Sequence, residues 1–260
     1  MTDPSPNQAV STRVLHLTDP HLFATAEGQL RGAVTHDTLT RAIQHYLASD
    51  WQADLAFATG DLVQDDSPEA YEHCKALLGM LGIPVGCVPG NHDVRALMQA
   101  ALAHTQIQYC GTRESGAWLM VGVDSCISGA AGGAIGNEEL ARCEQAIEAS
   151  EARHVLVYLH HPPVSLGSVW LDSVGLADGP EFILRLAATG KVRVVIFGHA
   201  HQAHDSTVNG IRILGTPSTC RQFKAGSDVF ALDNKPPAYR KIDLYDDGTV
   251  TTELVWVPGA

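Results

Sequence analysis

The sequence predicts an α/β fold in which mixed β-sheets pack face to face with helices on the outside. Two patterns in the 260 residues carry that expectation. Between residues 13 and 197, short β-branched or apolar runs alternate with amphipathic stretches, a βαβ-like rhythm. From residue 204 onward the helical stretches stop and hairpin signals take over. No internal repeat, low-complexity tract or linker interrupts the chain. Its length suits a single domain over 1–260, with residues 1–12 as a flexible leader and 204–257 as a β-hairpin region of the same domain.

In order, residues 13–18 read as a strand and 35–48 as a helix capped by Thr35. A strand at 54–59 is followed by a helix at 68–81, which starts on Pro68, where the missing amide hydrogen is not needed. Strand 84–88 leads to helix 94–103, and strand 118–123 to helix 137–152. A strand at 154–160, a helix at 180–189 and a strand at 192–197 complete the alternation. In Val208-Asn209-Gly210-Ile211 the Asn-Gly pair supplies the positive φ angles of a type I′ turn. Asp246-Asp247-Gly248 divides the alternating runs 239–245 and 249–257 in the same manner.

Composition bounds the function. Apolar residues at 45% and charged residues at 18% exclude disorder, collagen and coiled coil. Seventeen Lys and Arg against 29 Asp and Glu give a net charge of −12, which argues against a nonspecific nucleic-acid coat. An anionic substrate stays possible if the site carries cations of its own. Residues 1–10 are polar without an apolar signal core, and runs such as 192–197 are far too short to cross a bilayer. Six cysteines at 74, 87, 110, 126, 143 and 220 form no CxxC, so free thiols in a reducing cytoplasm are expected.

Chemistry gathers where strands end, which in open α/β sheets is where ligands bind. The expected strands run into Asp19-Pro20-His21, Gly60-Asp61, Gly90-Asn91-His92-Asp93, His160-His161-Pro162-Pro163 and Gly198-His199-Ala200-His201. Carboxylate, amide oxygen and imidazole without sulfur suit manganese, iron or zinc better than calcium, and disfavour a closed structural zinc site. Seven donors are too many for one tetrahedral ion and suit two ions that share a carboxylate. Glycines at 60, 90 and 198 let the backbone turn sharply beside the cluster.

With these five motifs in this order, the chain resembles the calcineurin-like metallophosphoesterases, whose pattern runs DxH, GD, GNH(D/E), H and GHxH. Within them it is similar to the bacterial class III cyclic nucleotide phosphodiesterases, those acting on cyclic AMP in particular. That narrower likeness rests on residues 59–66 (TGDLVQDD), 160–172 and 216–224 (TPSTCRQFK), and on a closing hairpin ending in DGTVTTE. The resemblance implies a four-layer sandwich with two transition-metal ions, iron or manganese with zinc as a further option. It implies Asp19, His21 and His201 on one ion, Asn91, His160 and His199 on the other, and Asp61 bridging both. His92 takes the position that contacts phosphate and assists the leaving group. Asn91, His201, His161 and Gln222 join it as substrate contacts, with Gln222 reading base edges and Phe223 or Cys220 as an apolar wall. The expected reaction is attack of a metal-bound hydroxide on phosphorus opposite the 3′ oxygen, turning 3′,5′-cyclic AMP into 5′-AMP. The expected partner is thus a small cyclic nucleotide, with no nucleic acid or membrane.

Several positions stay open between readings. Relatives place a second acid three residues after the bridging Asp, where this chain has Gln64, so an acid orienting His92 would be Asp65 or Asp93. The spacing to proline selects His160 over His161. Residues 170–172 read as a lid or as packing, residues 218–223 as a pocket wall or a plain loop, and His204 as a substrate contact or a strand residue. His16, His36, His45, His73, His104 and His154 read as packing or surface residues. Rival functions are a glycerophosphodiesterase or broad phosphodiesterase on the same scaffold, a scaffold without metals, and a nuclease. Intact motifs oppose the scaffold, and an acidic chain without appended domains opposes the nuclease.

Overall fold

The computed structural model describes residues 10–103 and 105–258; the expected leader over residues 1–9, and His104, lie outside the described residues. Two six-stranded mixed sheets form the centre. The first has the order Val250–Trp256, Ala238–Tyr245, Val10–Leu17, Leu55–Thr59, Val85–Val88, Ile107–Tyr109. Its last four strands are parallel and the first two antiparallel. The second has the order His204–Val208, Ile211–Gly215, Val192–Phe197, His154–Tyr158, Trp118–Gly122, Thr112–Ser115, parallel at the centre and antiparallel at both edges.

Period-two alternation puts each strand to use on both faces. Val14, Leu55, Phe57 and Val88 point toward the second sheet and meet Trp118, Met120, Leu156, Tyr158, Val194 and Ile196. Phe57 and Tyr158 stack there with ring centroids 4.0 Å apart, and burial of each such ring contributes roughly 2–3 kcal/mol. Trp118 also donates from Nε1 to the Tyr245 carbonyl at 2.8 Å, tying one sheet to the other. The opposite faces carry the helices. Leu15, Leu17, Ala56 and Ala58 pack on the buried sides of Thr35–Leu47, Pro68–Gly79 and Arg95–Leu102. Val121, Val155, Val157 and Val195 do the same with Gly136–Ala149 and Gly179–Ala188. The four-layer sandwich follows.

Some boundaries move. The first strand starts at Val10, with Val10 opposite Tyr245 and Thr12 opposite Leu244, so positions 10–12 of the expected flexible leader are paired sheet. Thr35 is the first helical residue and not the cap. Val34 precedes it with no capping side chain, because Val34 is held extended opposite Gln29 in a two-stranded ribbon. Ser67 caps the next helix by accepting from the Ala70 amide at 3.2 Å, and Pro68 is its first residue as expected. Strands Ile107–Tyr109 and Thr112–Ser115, the helical turn Val169–Asp172 and the two-residue ribbons were outside the reach of periodicity, being two to four residues long. Both hairpin turns stand, with Asn209, Gly210 and Gly248 at φ 51°, 80° and 89°. Among the described residues no helix is long and apolar enough to cross a membrane.

Candidate metal centre

The C-terminal ends of five parallel strands, drawn from both sheets, converge on one edge. Asp19 and His21 follow Val10–Leu17, Asp61 follows Leu55–Thr59, and Asn91 and His92 follow Val85–Val88. His160 follows His154–Tyr158; His199 and His201 follow Val192–Phe197. Five of the seven expected ligands sit in the left-handed region: Asp19 at φ 52°, His21 at 51°, Asp61 at 49°, His199 at 61° and His201 at 49°. Each such residue costs on the order of 1 kcal/mol and persists only where its surroundings impose it. Here the backbone does so, with the Asp19 amide donating to the Gly60 carbonyl (3.1 Å) and the His21 amide to the Asp61 carbonyl (2.9 Å). Gly60, at φ 88°, supplies a turn as expected. Gly90 and Gly198 serve a different purpose: a side chain at either would collide with Asp61 or Asp19.

The seven donors form two sets around Asp61. In the first, His201 Nε2 lies 3.1 Å from His21 Nε2 and 3.3 Å from Asp19 Oδ1. In the second, Asn91 Oδ1 lies 3.0 Å from His199 Nδ1 and 3.2 Å from His160 Nε2, and those two nitrogens are 3.2 Å apart. Asp61 reaches both, with Oδ2 3.7 Å from His21 Nε2 and Oδ1 3.5 Å from His160 Nε2. Protons reconcile some of these contacts, since His21 and His199 can each carry a hydrogen inward, but not all of them. His160 donates from Nδ1 to the Thr59 carbonyl (2.8 Å) and His201 from Nδ1 to the Arg221 carbonyl (2.5 Å), which leaves the inward nitrogens as bare lone pairs. Buried His21 Nδ1 and His199 Nε2 have no hydrogen-bond partner among the described residues. Burial holds His21 down to about 4 and His199 to about 3, so both rings are neutral donors. Asp19 and Asp61 stay ionised: burial opposes this, and the neighbouring histidines outweigh it. Lone pairs and carboxylates facing one another in a buried site fit cations between them, and the sets Asp19–His21–His201 and Asp19–Asp61–His160 each have ligand atoms within 4.8 Å.

His92 sits at the rim, half-buried. Its amide donates to Asp61 Oδ1 at 2.9 Å, and its ring Nδ1 lies 3.2 Å from Gln64 Nε2. Gln64, set aside by an expectation of an acid, is the residue that meets this ring. Neither Asp65 nor Asp93 does. Asp65 accepts from the Ala24 amide and the Ser67 hydroxyl, and Asp93 accepts from the amides of Gly90, Leu62 and Val63 and from the Tyr71 hydroxyl.

Two expected substrate contacts are closed off. His161 is fully buried, with Nδ1 2.8 Å from the Ser125 hydroxyl and Nε2 3.2 Å from the Ala131 carbonyl. Gln222 is 1% exposed; its Oε1 accepts from the Ser218 amide and its Nε2 donates to the Ser218 and Pro236 carbonyls, so it has no edge left to read a base. The 218–223 loop is instead a brace: Ser218 donates to the Asp19 carbonyl at 2.7 Å, Arg221 accepts from His201, and Phe223 stacks on the His201 ring at 4.1 Å. Trp170 packs against Phe223 and Phe230, while Asp172 accepts from Leu166 and Ser165, so 170–172 backs that brace. Burial raises the Cys220 thiol to about 12, which suits no nucleophile. His204 faces Phe197 and bonds the Ser206 hydroxyl within its strand. On the Asn91 side a cavity of about 320 Å³ opens, lined among others by Val94, Arg95, Cys126, Ile127 and Ser128. Sequence reasoning missed that cavity, and also the buried polar side chains behind Asp19 (His16, Thr59, Thr216 and Arg240), whose only signal was an arginine on the apolar register of an alternating strand.

Comparisons with known proteins bear on the family and the fold. Residues 12–203 match the calcineurin-like phosphoesterase family. The chain is 34% identical over 245 residues to the 3′,5′-cyclic adenosine monophosphate phosphodiesterase CpdA of Vibrio vulnificus, covering 94% of this chain and 89% of that one. It is 36% identical over 247 residues to the protein of the same description from Escherichia coli K12, covering 93% and 88%. Among solved structures, a dimetal phosphatase from Danio rerio superposes with a TM-score of 0.64 at 16% identity, over 96% of this chain and 100% of that one, a likeness of fold. The chain is a member of the calcineurin-like phosphoesterase family.

Proposed function

We propose that the protein hydrolyses 3′,5′-cyclic AMP to 5′-AMP and so lowers a second messenger. Asp19, His21 and His201 would hold one transition-metal ion, Asn91, His160 and His199 a second, and Asp61 both, the ions being iron, manganese or zinc. Bound there, such ions lower the pKa of coordinated water toward neutrality and offset charge on a phosphoryl group. The observation that carries this reading is the convergence of seven donors, six of them buried, in which the inward nitrogens of His160 and His201 and the carboxylates of Asp19 and Asp61 face one another. The substrate class rests on relatives similar over about nine-tenths of both chains.

The chain's own residues do the rest. Water supplies the oxygen that joins phosphorus, the bond from phosphorus to the 3′ oxygen breaks, and that oxygen takes up a proton. The Gln64 amide donates to His92 Nδ1, which places the ring hydrogen on Nε2. His92 thereby presents a donor to the leaving oxygen. The cavity beside Asn91 gives the nucleoside room, with Arg95 pinned flat by Asp124 Oδ1 at 2.9 Å and by the Cys126 carbonyl at 2.5 Å. Interleaved sheets that share both the core and the site support one domain over the described residues. Six free cysteines support a reducing compartment, the cytoplasm.

Turnover should be compared on cyclic AMP, cyclic GMP, bis-nitrophenyl phosphate and a glycerophosphodiester. Cyclic AMP is expected to give the highest kcat/KM. A faster glycerophosphodiester would replace the substrate assignment while leaving the metal centre standing.

A further inference from the structure

Beside the start of helix Thr35–Leu47 lies a second cavity, of about 490 Å³, lined by none of the seven donors and not by His92. Two arginines from distant parts of the chain line it: Arg41 on that helix, and Arg221 on the loop between strands Ile211–Gly215 and Gln222–Phe223. Neither has an ion pair or a side-chain hydrogen bond among the described residues, and the Nε of each is buried without a partner. Arginine can only donate. In a chain with 29 carboxylates against 17 lysines and arginines, two half-buried guanidiniums on one cavity are left without an acceptor. Donors held in place and unspent are costly unless something outside the chain accepts from them.

Nothing on the lining neutralises them. Asp37 is the one carboxylate there; its side chain is 70% exposed, and its ion-pair partner is His36 Nδ1 at 3.9 Å. Lys235 also lines the cavity, but Asp233 Oδ2 holds it at 2.9 Å, so the uncompensated charge belongs to the two arginines. Planar guanidinium forks on two elements suit an anion with several oxygens, and phosphate offers a pair of oxygens to each fork. A phosphate monoester carries close to two negative charges at pH 7, matching two arginines, where a carboxylate or a phosphodiester carries one. The cavity is larger than a lone phosphate fills and falls within the range of small-molecule sites. Val34, Pro236 and Pro237 give the remaining volume an apolar wall.

We infer that this cavity is a second binding site, separate from the metal centre, for a small phosphate monoester whose phosphate is held between Arg41 and Arg221. The site uses no metal and stands independently of the reading proposed for the seven donors. Arg221 nevertheless belongs to both neighbourhoods. Its side chain lines the cavity, and its backbone carbonyl accepts from His201 Nδ1 at 2.5 Å.

The test is an NMR titration of zinc-loaded protein labelled with ¹⁵N at arginine and histidine. The probes are phenylphosphonate, an analogue of a phosphate monoester with no ester bond to hydrolyse, and inorganic phosphate, with chloride as control. The Nε–H signals of Arg41 and Arg221, identified by their loss in Arg41→Gln and Arg221→Gln, should move together with a Kd for phenylphosphonate of about 1 mM or tighter. Each variant should weaken binding, read at the arginine it keeps, by about tenfold or more, the worth of a charge-assisted hydrogen bond. Phenylphosphonate should bind more tightly than inorganic phosphate. Arginine signals that stay at their chloride values overturn the inference; so does a variant with the wild-type Kd, or a phosphonate no tighter than the free ion. Shifts confined to the histidine signals place the anion at the metal centre, which overturns this inference and leaves the other reading standing. A chain that takes up no zinc while both arginine signals move sinks the metal-centre reading and supports this one.

Discussion

Replacing Gly90 by Ala tests how tightly the shared carboxylate is packed. Gly90 does not use the left-handed region, so the substitution brings no backbone penalty of its own. The added methyl would lie 2.8 Å from Asp61 Cγ, and closer still to Oδ1 and the Asp61 amide, where ordinary contact begins at 3.4 Å. Opening that gap from 2.8 to 3.4 Å moves the carboxylate by about 0.6 Å or more. The backbone there cannot yield readily, because the Asp61 carbonyl accepts from the His21 amide at 2.9 Å and Asp61 Oδ1 from the His92 amide at 2.9 Å. Overpacking of this kind costs roughly 1–3 kcal/mol, with Tm falling by about 2–4 °C per kcal/mol in a chain of this size. Displacing a reacting geometry by a sizeable part of an ångström costs about 100-fold in kcat/KM, or about 2.7 kcal/mol of barrier. Steady-state hydrolysis of cyclic AMP, with bound metal counted by mass spectrometry and Tm by calorimetry, reads all three. Gly79→Ala is the companion control, since nothing lies within 4 Å of that position at the end of its helix, and it should be as stable as wild type or more so. A Gly90→Ala enzyme with wild-type kcat/KM and full metal content refutes the reasoning.

Two further outcomes are expected. His92→Ala should lose about 10²- to 10⁴-fold in turnover while keeping its metal, because the His92 contact with Asp61 comes from the backbone amide; loss of metal in step with activity contradicts that division of roles. His16→Gln should flatten the acid limb of stability. Burial, then Arg240, holds His16 down from 6.5 to about 3. Between those values the unfolded chain takes up a proton that the folded chain refuses, so wild-type stability falls as pH falls, by up to about 1.4 kcal/mol per pH unit. Urea unfolding across pH 4–6.5 should show that slope smaller by one proton in His16→Gln, and equal slopes would count against it.

The parts of the centre legible in the sequence were those that sit directly after a short apolar run, with or without a glycine beside them. Asp61, Asn91 and His199 meet both conditions and Asp19 and His160 the first alone, and strands such as Leu55–Thr59 and His154–Tyr158 are buried at every residue, which gives them largely apolar signatures. The edge strand Thr112–Ser115 alternates only between exposed and half-buried residues and left no such trace. What surrounds the ligands was illegible for a different reason. His16 meets Thr216 across 200 residues and Thr59 across 43, distances at which spacing carries no information. Polarity misled in the other direction at His161 and Gln222, which lie next to motif residues but spend their hydrogen bonds on backbone carbonyls and on Ser125 and Ser218. Gln64 was passed over because an orienting group was expected to be charged, whereas an amide fixes a tautomer as well as a carboxylate does.

The two donor sets also divide the chain in an unusual way. Asp19, His21, Asp61 and Asn91 come from the first sheet, and His160, His199 and His201 from the second, so neither half of the polypeptide owns a complete coordination sphere. On the proposed reading, a ribosome releasing this protein would have to finish residue 199 before the second set, and residue 201 before the first, had all its ligands. Cation capture would thus be a late event that joins ligands from both sheets, and parting the sheets at this edge would dismantle both donor sets together.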